Sequence, residues 1–502
     1  MTEFEIKLEI PPASLAGVLA KMQALQPAKV DLTARYFDTA QADLGRHGVV
    51  VRVRKEGRGW VQTAKGPARS PAERLEHNVP IEAPAKGEAP TVDLARHAGT
   101  AVGKAIRRAL RLKKGDDFPP LLPLYQTEIG RQVAVVRSGA ALVELALDQG
   151  RIVAGSSESP VSELEFELKA GEAADVVTLA REWRSEHALW LSTLSKSMKG
   201  RDLAQVASGG PVATAAGVDY QAGATGQEIL QAAMSSCLDQ VLGNASEVAA
   251  GSEDDDHIHQ LRVGLRRLRT CLGELEPISS GIDPAWADAL TETFRILGRH
   301  RDGTHLARSL QPQIEAAGGP VLPAPVPDDG AELPSAAVQR PAFQDALLGL
   351  LDVLHRGAPN GPAAAERSQS MGARAAKKHL SRRLAKLHRQ VTRHGARFSE
   401  LEESQQHRVR KRLKRLRYLS EFTAPLFGPK QTEAFIARLK PAQDVLGLYN
   451  DEVTTLHAYL ARAAQEPQAW FGAGWLSARR EQHAKACQRA LLKVEKAPLF
   501  WN

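Results

Sequence analysis

The sequence is poor in cysteine and in aromatic residues. Its three cysteines, Cys237, Cys271 and Cys487, stand far apart with no CxxC pair. That excludes a disulfide framework and a thiolate zinc motif, and it fits a reducing compartment. Aromatic residues make up only 5% of the chain, too few to interleave with basic runs as base-stacking platforms. No run of about 18 apolar residues occurs, so no transmembrane helix is expected. The opening Met1-Thr2-Glu3-Phe4-Glu5 has neither the basic nor the apolar region of a secretory leader, so a cytoplasmic protein is expected. What is present is ordinary globular material: 502 residues, 43% hydrophobic and 25% charged, with a formal net charge of +8. This length implies more than one domain, and the charge hints at an anionic partner.

The chain divides at residues 208–226, a small, polar, nearly uncharged stretch that reads as a flexible linker. Residues 1–207 form one expected domain and 227–502 another. The first alternates with period two at 3–10, 49–55, 60–65, 131–137, 142–148 and 161–169, which predicts strands. Helices are predicted near 12–25, 91–111 and 172–187. The second is rich in leucine and alanine at helical spacing, with basic helices predicted near 257–276, 371–394 and 400–422. Pro/Gly-rich stretches at 317–341 and 357–363 predict exposed connections.

Charged residues recur on one face of the predicted strands. Glu3, Glu5 and Lys7 alternate with Phe4, Ile6 and Leu8; Arg52 and Arg54 with Val51 and Val53. Glu144 and Asp148 share a face, as do Glu163, Glu165, Glu167 and Lys169. A solvated sheet face explains any one of these strands. Several together, some acidic and some basic, fit a barrel with a charged lumen holding a metal–phosphate complex.

These residues resemble the CYTH family, the triphosphate tunnel metalloenzymes. Glu3-x-Glu5-x-Lys7 is similar to its ExExK signature. Tyr36-Phe37-Asp38-Thr39, Arg52-x-Arg54, Thr63-Ala64-Lys65, Arg74-x-Glu76, Arg131, Glu144 with Asp148, and Glu163-x-Glu165-x-Glu167 follow in the family's order. Leu194-Ser195-Lys196-Ser197-Met198-Lys199-Gly200 resembles its terminal motif, with Lys199 where arginine is usual. The resemblance covers about residues 1–205. It implies an antiparallel eight-stranded β-tunnel with covering helices, an α+β fold. It also implies a divalent cation, Mg²⁺ or Mn²⁺, on Glu3, Glu5, Glu165 and Glu167, in keeping with oxygen-only ligands. Lys7, Arg52, Arg54, Lys65, Arg74, Arg131 and Lys196 would bind phosphate oxygens. Lys7, Glu144, Asp148 and Glu163 are the implied catalytic residues, the carboxylates as further ligands or water-orienting groups.

The second half contains an internal repeat. His259, Arg262, Arg266, Arg267 and Arg269 align with His407, Arg410, Lys414, Arg415 and Arg417 at an offset of 148 residues. Leu297-Gly298 with Arg301-Asp302 then aligns with Leu446-Gly447 and Asn450-Asp451 at an offset of 149. The spacing i, i+3, i+7, i+10 puts a histidine and three cations on one helix face in each copy. Lys378 and Arg382 lie on a third basic helix. One such helix is commonly a solvated face, but two in matched register favour a ligand. The pattern resembles the CHAD domain, the conserved histidine α-helical domain, over about 227–500. It implies an all-α helical bundle with an internal duplication that binds inorganic polyphosphate, possible association with polyphosphate granules, and nucleic acid as the less favoured polyanion. The expected activity is hydrolysis of inorganic triphosphate to pyrophosphate and phosphate. Thiamine-triphosphate hydrolysis, adenylate cyclisation on the same tunnel, and a non-catalytic polyphosphate-binding protein are the alternatives.

Overall fold

The structure, a computed structural model, describes residues 4–57, 59–67, 74–83, 90–204, 210–252, 254–279, 281–305, 310–321, 332–355 and 370–501. The strands are β1 (Glu5–Glu9), β2 (Ala28–Asp38), β3 (Val50–Glu56), β4 (Gly59–Pro67), β5 (Arg74–Ile81), β6 (Leu122–Ser138), β7 (Ala141–Ala154), β8 (Ser157–Ala170) and β9 (Trp190–Leu191). The helices in the first 204 residues are α1 (Leu15–Ala24), α2 (Asp43–Arg46), α3 (Ala101–Ala109), α4 (Ala173–His187) and α5 (Lys196–Leu203). Then come α6 (Gly226–Ala249), α7 (Asp255–Leu275), α8 (Pro284–His305), α9 (Gln311–Ala316), α10 (Pro334–Gln339), α11 (Pro341–His355), α12 (Ala373–Gly395), α13 (Glu403–Phe427), α14 (Pro429–Arg462) and α15 (Ala469–Glu495). No helix among the described residues is long and apolar enough to cross a membrane.

The chain forms two compact units. One comprises Met1–Ala213, Leu242–His257 and Gln339–Arg356; the other comprises Thr214–Val241, Ile258–Val338 and Gly357–Asn502. The first unit thus takes in α11, which lies far along the sequence.

In the first unit all strand pairs are antiparallel, in the order β5-β4-β3-β2-β6-β7-β8-β1-β9. Eight strands are substantial and the ninth has two residues. Among the described residues the pairing ends at β5 and β9. Side chains alternate between the two sheet faces. One face is apolar and packs under helices. Phe166 of β8 meets Trp183 of α4 edge-on, with ring centroids 6.4 Å apart. Leu44, Val51, Ala64, Val102 and Ile106 form a second cluster beneath α3. Truncating such a buried aromatic to alanine costs about 3–5 kcal/mol. The opposite face is the charged one.

The second unit is helical. Its buried leucines include Leu261, Leu265 and Leu268 of α7, and Leu413, Leu416 and Leu419 of α13. Residues 210–225 have no regular structure, as expected of a linker, but they are not loose. In this unit the Tyr220 hydroxyl donates to the Phe422 carbonyl at 2.9 Å, and the Ala216 carbonyl accepts from Ser236 at 2.8 Å. Of the predicted connections, 357–363 and 322–331 lie outside the described residues, and the rest of 317–341 departs from expectation: Pro334–Gln339 is the helix α10, with Ala337 and Val338 buried.

Candidate active site and basic helical surface

The ladder registers put the charged side chains of neighbouring strands side by side. Glu5, Lys7 and Glu9 of β1 oppose Glu167, Glu165 and Glu163 of β8. Glu144 and Asp148 of β7 oppose Glu167 and Glu163 from the other side. Arg131 of β6 opposes Asp148. Carboxylates crowded on three adjacent strands repel one another unless cations lie among them.

Lys196, at the start of α5, is the central cation. Ser195 precedes it as the helix cap, accepting from the Met198 N–H at 3.2 Å. The Lys196 amine reaches Asp148 at 2.6 Å and Glu165 at 3.0 Å, and also bonds Glu163. Arg131 holds Asp148 through two bonds of 2.6 Å and Glu165 through a third. Lys7 pairs with Glu163 at 3.3 Å and donates to the Leu194 carbonyl. Lys199, one turn beyond Lys196, bonds Glu9 and lies 3.4 Å from Glu163. Lys169 bridges Glu144 and Glu167 at 3.4 and 2.7 Å.

These contacts set the protonation of the acids. Burial works to raise the Glu163 carboxyl, but Lys7, Lys196 and Lys199 outweigh it and hold the group far below the usual range. Burial alone would lower Lys196 and Arg131; their carboxylate partners keep both firmly charged. Glu5 behaves oppositely. Loss of water around it, then repulsion from Glu165, raises it to about 7 despite Lys7. Replacing Lys196 with methionine takes one cation from three carboxylates, two of them fully buried, and leaves them only Arg131, Lys7 and Lys199. We expect a loss of about 3–5 kcal/mol of stability, read as a lower urea midpoint. An unchanged midpoint would contradict this network.

The structure divides the expected phosphate-binding set. Arg131, Lys196 and Lys7 converge on the acidic row. Arg52 and Arg54 of β3 lie on the same sheet face through the β2 and β6 registers. Arg52 donates to the Tyr36 hydroxyl at 3.4 Å, and Arg54 pairs with Glu56. Lys65 pairs with Glu76 at 2.6 Å. Arg74 begins β5, but its side chain, like all of Glu3, lies outside the described residues. The best-clustered acidic ligand atoms among the described residues belong to Asp148, Glu163 and Glu165, within 4.8 Å of one another. Of the expected metal ligands only Glu165 is in that group. Glu167 faces Lys169, and Glu5 adjoins Glu165. An all-oxygen donor set of this crowding fits a hard divalent cation.

Sequence reading missed Glu9 and Tyr125. Glu9 simply continues the Glu5, Lys7 alternation. Tyr125 stacks on Tyr36, with centroids 4.6 Å apart, and donates to the Ser197 carbonyl at 3.0 Å. A Cβ at Gly200 would come within 2.3 Å of the Tyr125 ring, which explains the glycine ending that motif. Asp38 has a local task. Its carboxylate accepts from the backbone N–H groups of Thr39, Leu44 and Gly45 and so closes the turn into α2.

In the helical unit the two repeats lie on α7 and α13, which run beside each other. Arg415 of α13 pairs with Glu274 of α7 at 3.3 Å. Three guanidinium groups surround one ring of α8: Arg262, Arg266 and Arg269 lie 4.8, 5.3 and 5.4 Å from the Phe294 centroid. An open pocket of about 320 Å³ is lined by Arg262, Thr291, Phe294, Arg295, Gly298 and Arg299. A Cβ at Gly298 would meet Arg262 at 2.5 Å. In the second copy His407 bonds the Asn450 side chain at 3.1 Å and Arg410 lies 3.9 Å from Asp451. The Leu-Gly segment thus supplies partners for its own His–Arg helix. Its first-copy equivalents, Arg301 and Asp302, have side chains outside the described residues.

Burial and then Arg266 and Arg410 lower the Lys414 amine to about 6, with Asp451 opposing them and Arg262 adding to them. The two stripes therefore share one basic surface. His259 stands one turn before Arg262 on α7, and Arg417 bonds Glu421 and Gln443. One expectation is corrected: Arg267 is 1% exposed and points into the core. It bonds Gln240 at 3.0 Å, Ser236 at 3.2 Å and the Ala216 carbonyl at 3.3 Å. The i+8 position falls off the stripe that i, i+3, i+7 and i+10 define. Lys378 and Arg382 are exposed on α12, while neighbouring Arg383 turns to Glu274.

Two family sequence models match the chain: the CYTH domain over residues 1–200 and the CHAD domain over 232–460. An inorganic triphosphatase of Haemophilus influenzae is 29% identical over 206 residues, covering 40% of this chain and 54% of that protein. An uncharacterised protein of Mycobacterium tuberculosis is 25% identical over 330 residues, covering 62% of this chain and 59% of its own. The chain thus spans between half and three-fifths of the length of these relatives. Among solved structures, the CHAD domain of Ricinus communis is similar at 24% identity and a TM-score of 0.45, over 56% of this chain and 97% of that one. A Hippeastrum protein with a dominant triphosphatase activity matches at 18% identity and a TM-score of 0.30, over 40% of this chain and 95% of its own. The chain joins a CYTH domain to a CHAD domain.

Proposed function

We propose that the CYTH domain hydrolyses inorganic triphosphate to pyrophosphate and phosphate with Mg²⁺ or Mn²⁺, and that the CHAD domain binds inorganic polyphosphate. The observation that carries the first part is one continuous face with acids at one end and Arg131, Lys196, Lys7, Arg52 and Arg54 along it. Such a face suits a polyanion brought in with a cation. Glu5, Glu165, Asp148 and Glu163 are the residues that would hold that cation, with Glu3 and Glu167 beside them in sequence. When bound, the ion supplies neutralising charge on phosphoryl oxygens. The rest falls to the chain's own groups. Arg131, Arg52 and Arg54 grip phosphate oxygens through planar forks, and Lys7, Lys65 and Lys196 act as point charges. Held strongly ionised, Glu163 is a poor proton acceptor and a good anchor for Lys7 and Lys196. Glu5, raised when no cation is present, would be drawn to its ionised form by the cation it helps to hold.

A substrate panel tests this reading. Purified protein with Mg²⁺ or Mn²⁺ is expected to release phosphate from tripolyphosphate well ahead of thiamine triphosphate or ATP. Cyclic AMP from ATP without tripolyphosphate turnover would overturn it.

The basic stripes of α7 and α13 support the second part. With the Lys414 amine lowered to about 6 by burial and its cationic neighbours, a polyanion bound beside it would draw a proton back onto it. Polyphosphate affinity is therefore expected to fall as pH rises from about 6.5 to about 8.5, and Lys414→Arg to flatten that fall. Parallel titrations of both proteins decide it; equal slopes would show that Lys414 does not face the ligand. Holding long chains on the same polypeptide as the hydrolytic domain would raise local substrate concentration.

A further inference from the structure

The edge of the charged sheet is finished by a helix from far along the chain. Strand β9 pairs with β1 on one side only, Leu191 opposite Leu8 and Trp190 opposite Glu9. Its outward backbone groups need partners, since a buried unpaired N–H costs about 1–3 kcal/mol. The Leu191 N–H donates to the Gln344 side-chain oxygen of α11 at 2.7 Å. Gln344 is 1% exposed. The same helix is fastened at its start and its end. Arg184 of α4, nearly buried, pairs with Asp345 at 2.7 Å and donates to the Pro341 carbonyl at 3.2 Å. His355, at the other end, meets the ring of Phe4 with centroids 4.6 Å apart. Phe4 immediately precedes β1.

The residues after β9 lead directly into the site. The Ser192 N–H donates to the Lys7 carbonyl at 2.9 Å. The Leu194 carbonyl receives the Lys7 amine. Ser195 then caps α5, and Lys196 follows. Residues 191–196 therefore hold both the backbone and the amine of Lys7, and they launch Lys196. Gln344 anchors the first residue of that segment.

Resting on the hydrolytic reading above, we infer that Gln344 is a positioning residue for the phosphate site, setting Lys7 and Lys196 through β9. α11 lies inside the matched CHAD region, yet it is a structural part of the hydrolytic unit. A side-chain amide in place of a neighbouring strand fixes one register, whereas an apolar edge would let β9 slip. Sub-ångström placement of charged groups is what phosphoryl transfer depends on.

The test uses the full-length chain with Gln344→Leu and Gln344→Glu. The leucine variant removes the acceptor at similar size; the glutamate variant keeps it. Gln344→Leu is expected to lower kcat/KM for tripolyphosphate about tenfold at a temperature where it is fully folded by circular dichroism. Its KM should rise, with Gln344→Glu recovering most of the loss. Hydrogen exchange at Leu191 and Ser192 should quicken in the leucine variant and not in the glutamate variant. Unchanged kinetics in folded Gln344→Leu would overturn the inference, as would unchanged exchange at Leu191. The exchange arm needs no turnover. If the wild-type protein fails to cleave tripolyphosphate, the hydrolytic reading falls, while β9 protection still decides whether Gln344 sets the strand.

Discussion

Glu5→Ala is expected to reduce tripolyphosphate turnover by at least about a hundredfold, equivalent to about 2.7 kcal/mol of transition-state stabilisation, without loss of stability. The two halves of this expectation have separate causes. Glu5 sits on the acidic face beside Glu165, where the cation and the attacking water are proposed to meet. Removing it takes away an oxygen donor to that cation. For stability the sign is reversed. The carboxyl is raised from 4.5 to about 7 by loss of water and by Glu165, so the fold favours its neutral form. A raised carboxyl contributes stability below its unfolded pKa and loses it as pH climbs through the folded value. Above about pH 7 the charged Glu5 opposes folding, though only weakly because its side chain still meets solvent, and alanine relieves that opposition. Melting curves at about pH 8 should show the variant at or above the wild-type temperature, with the difference shrinking toward pH 5. Polyphosphate binding by residues 227–502 should be untouched. Full activity in Glu5→Ala would remove Glu5 from the site, and a marked fall in melting temperature would show that it is a structural partner.

Reversing charge at Arg262 and Arg410 together is expected to weaken polyphosphate binding at least about a hundredfold and to make it less sensitive to salt. Each guanidinium that neutralises a phosphate releases condensed counterions, so the slope of affinity against salt falls by about one for each such guanidinium removed. Arg262 stacks over Phe294 at the pocket floor, 4.8 Å from its ring. Arg410 stands 3.9 Å from Asp451. A glutamate at either place adds repulsion where there had been attraction. Both positions lie in the helical unit, so tripolyphosphate turnover measures whether the rest of the chain is intact and should not change. The decisive measurement is a titration with long-chain polyphosphate at several salt concentrations. Unchanged affinity and slope would mean that the stripes are solvated faces.

Much of the first domain was legible because strand alternation records which side chains share a face. Glu5 and Lys7, Arg52 and Arg54, and Glu163 to Lys169 were assigned to one face from spacing, and the ladder registers agree. Strand β2 was assigned only from Tyr36 to Thr39, through resemblance, although Ala28-Lys29-Val30-Asp31-Leu32-Thr33-Ala34-Arg35 alternates with period two and already carried the signal. The helix repeat was equally readable from spacing, apart from Arg267. That residue is adjacent to the stripe in sequence, yet about 100° of helical rotation turns it into the core.

The sequence by itself determined the charged sheet face and the paired basic stripes, because each depends on a local period of 2 or 3.6 residues; that Leu242–His257 and Gln339–Arg356 join the strand-rich unit was decided by the tertiary structure. Which acid meets which base needed the tertiary structure. Strand order places Asp148 beside Glu163, and α5 delivers Lys196 among them from a separate part of the chain. The same is true of Phe294 beneath three arginines, and of Gln344, which completes a sheet edge more than 150 residues away. No local period encodes such pairs; they exist only once the burial of distant apolar faces has brought their backbones together.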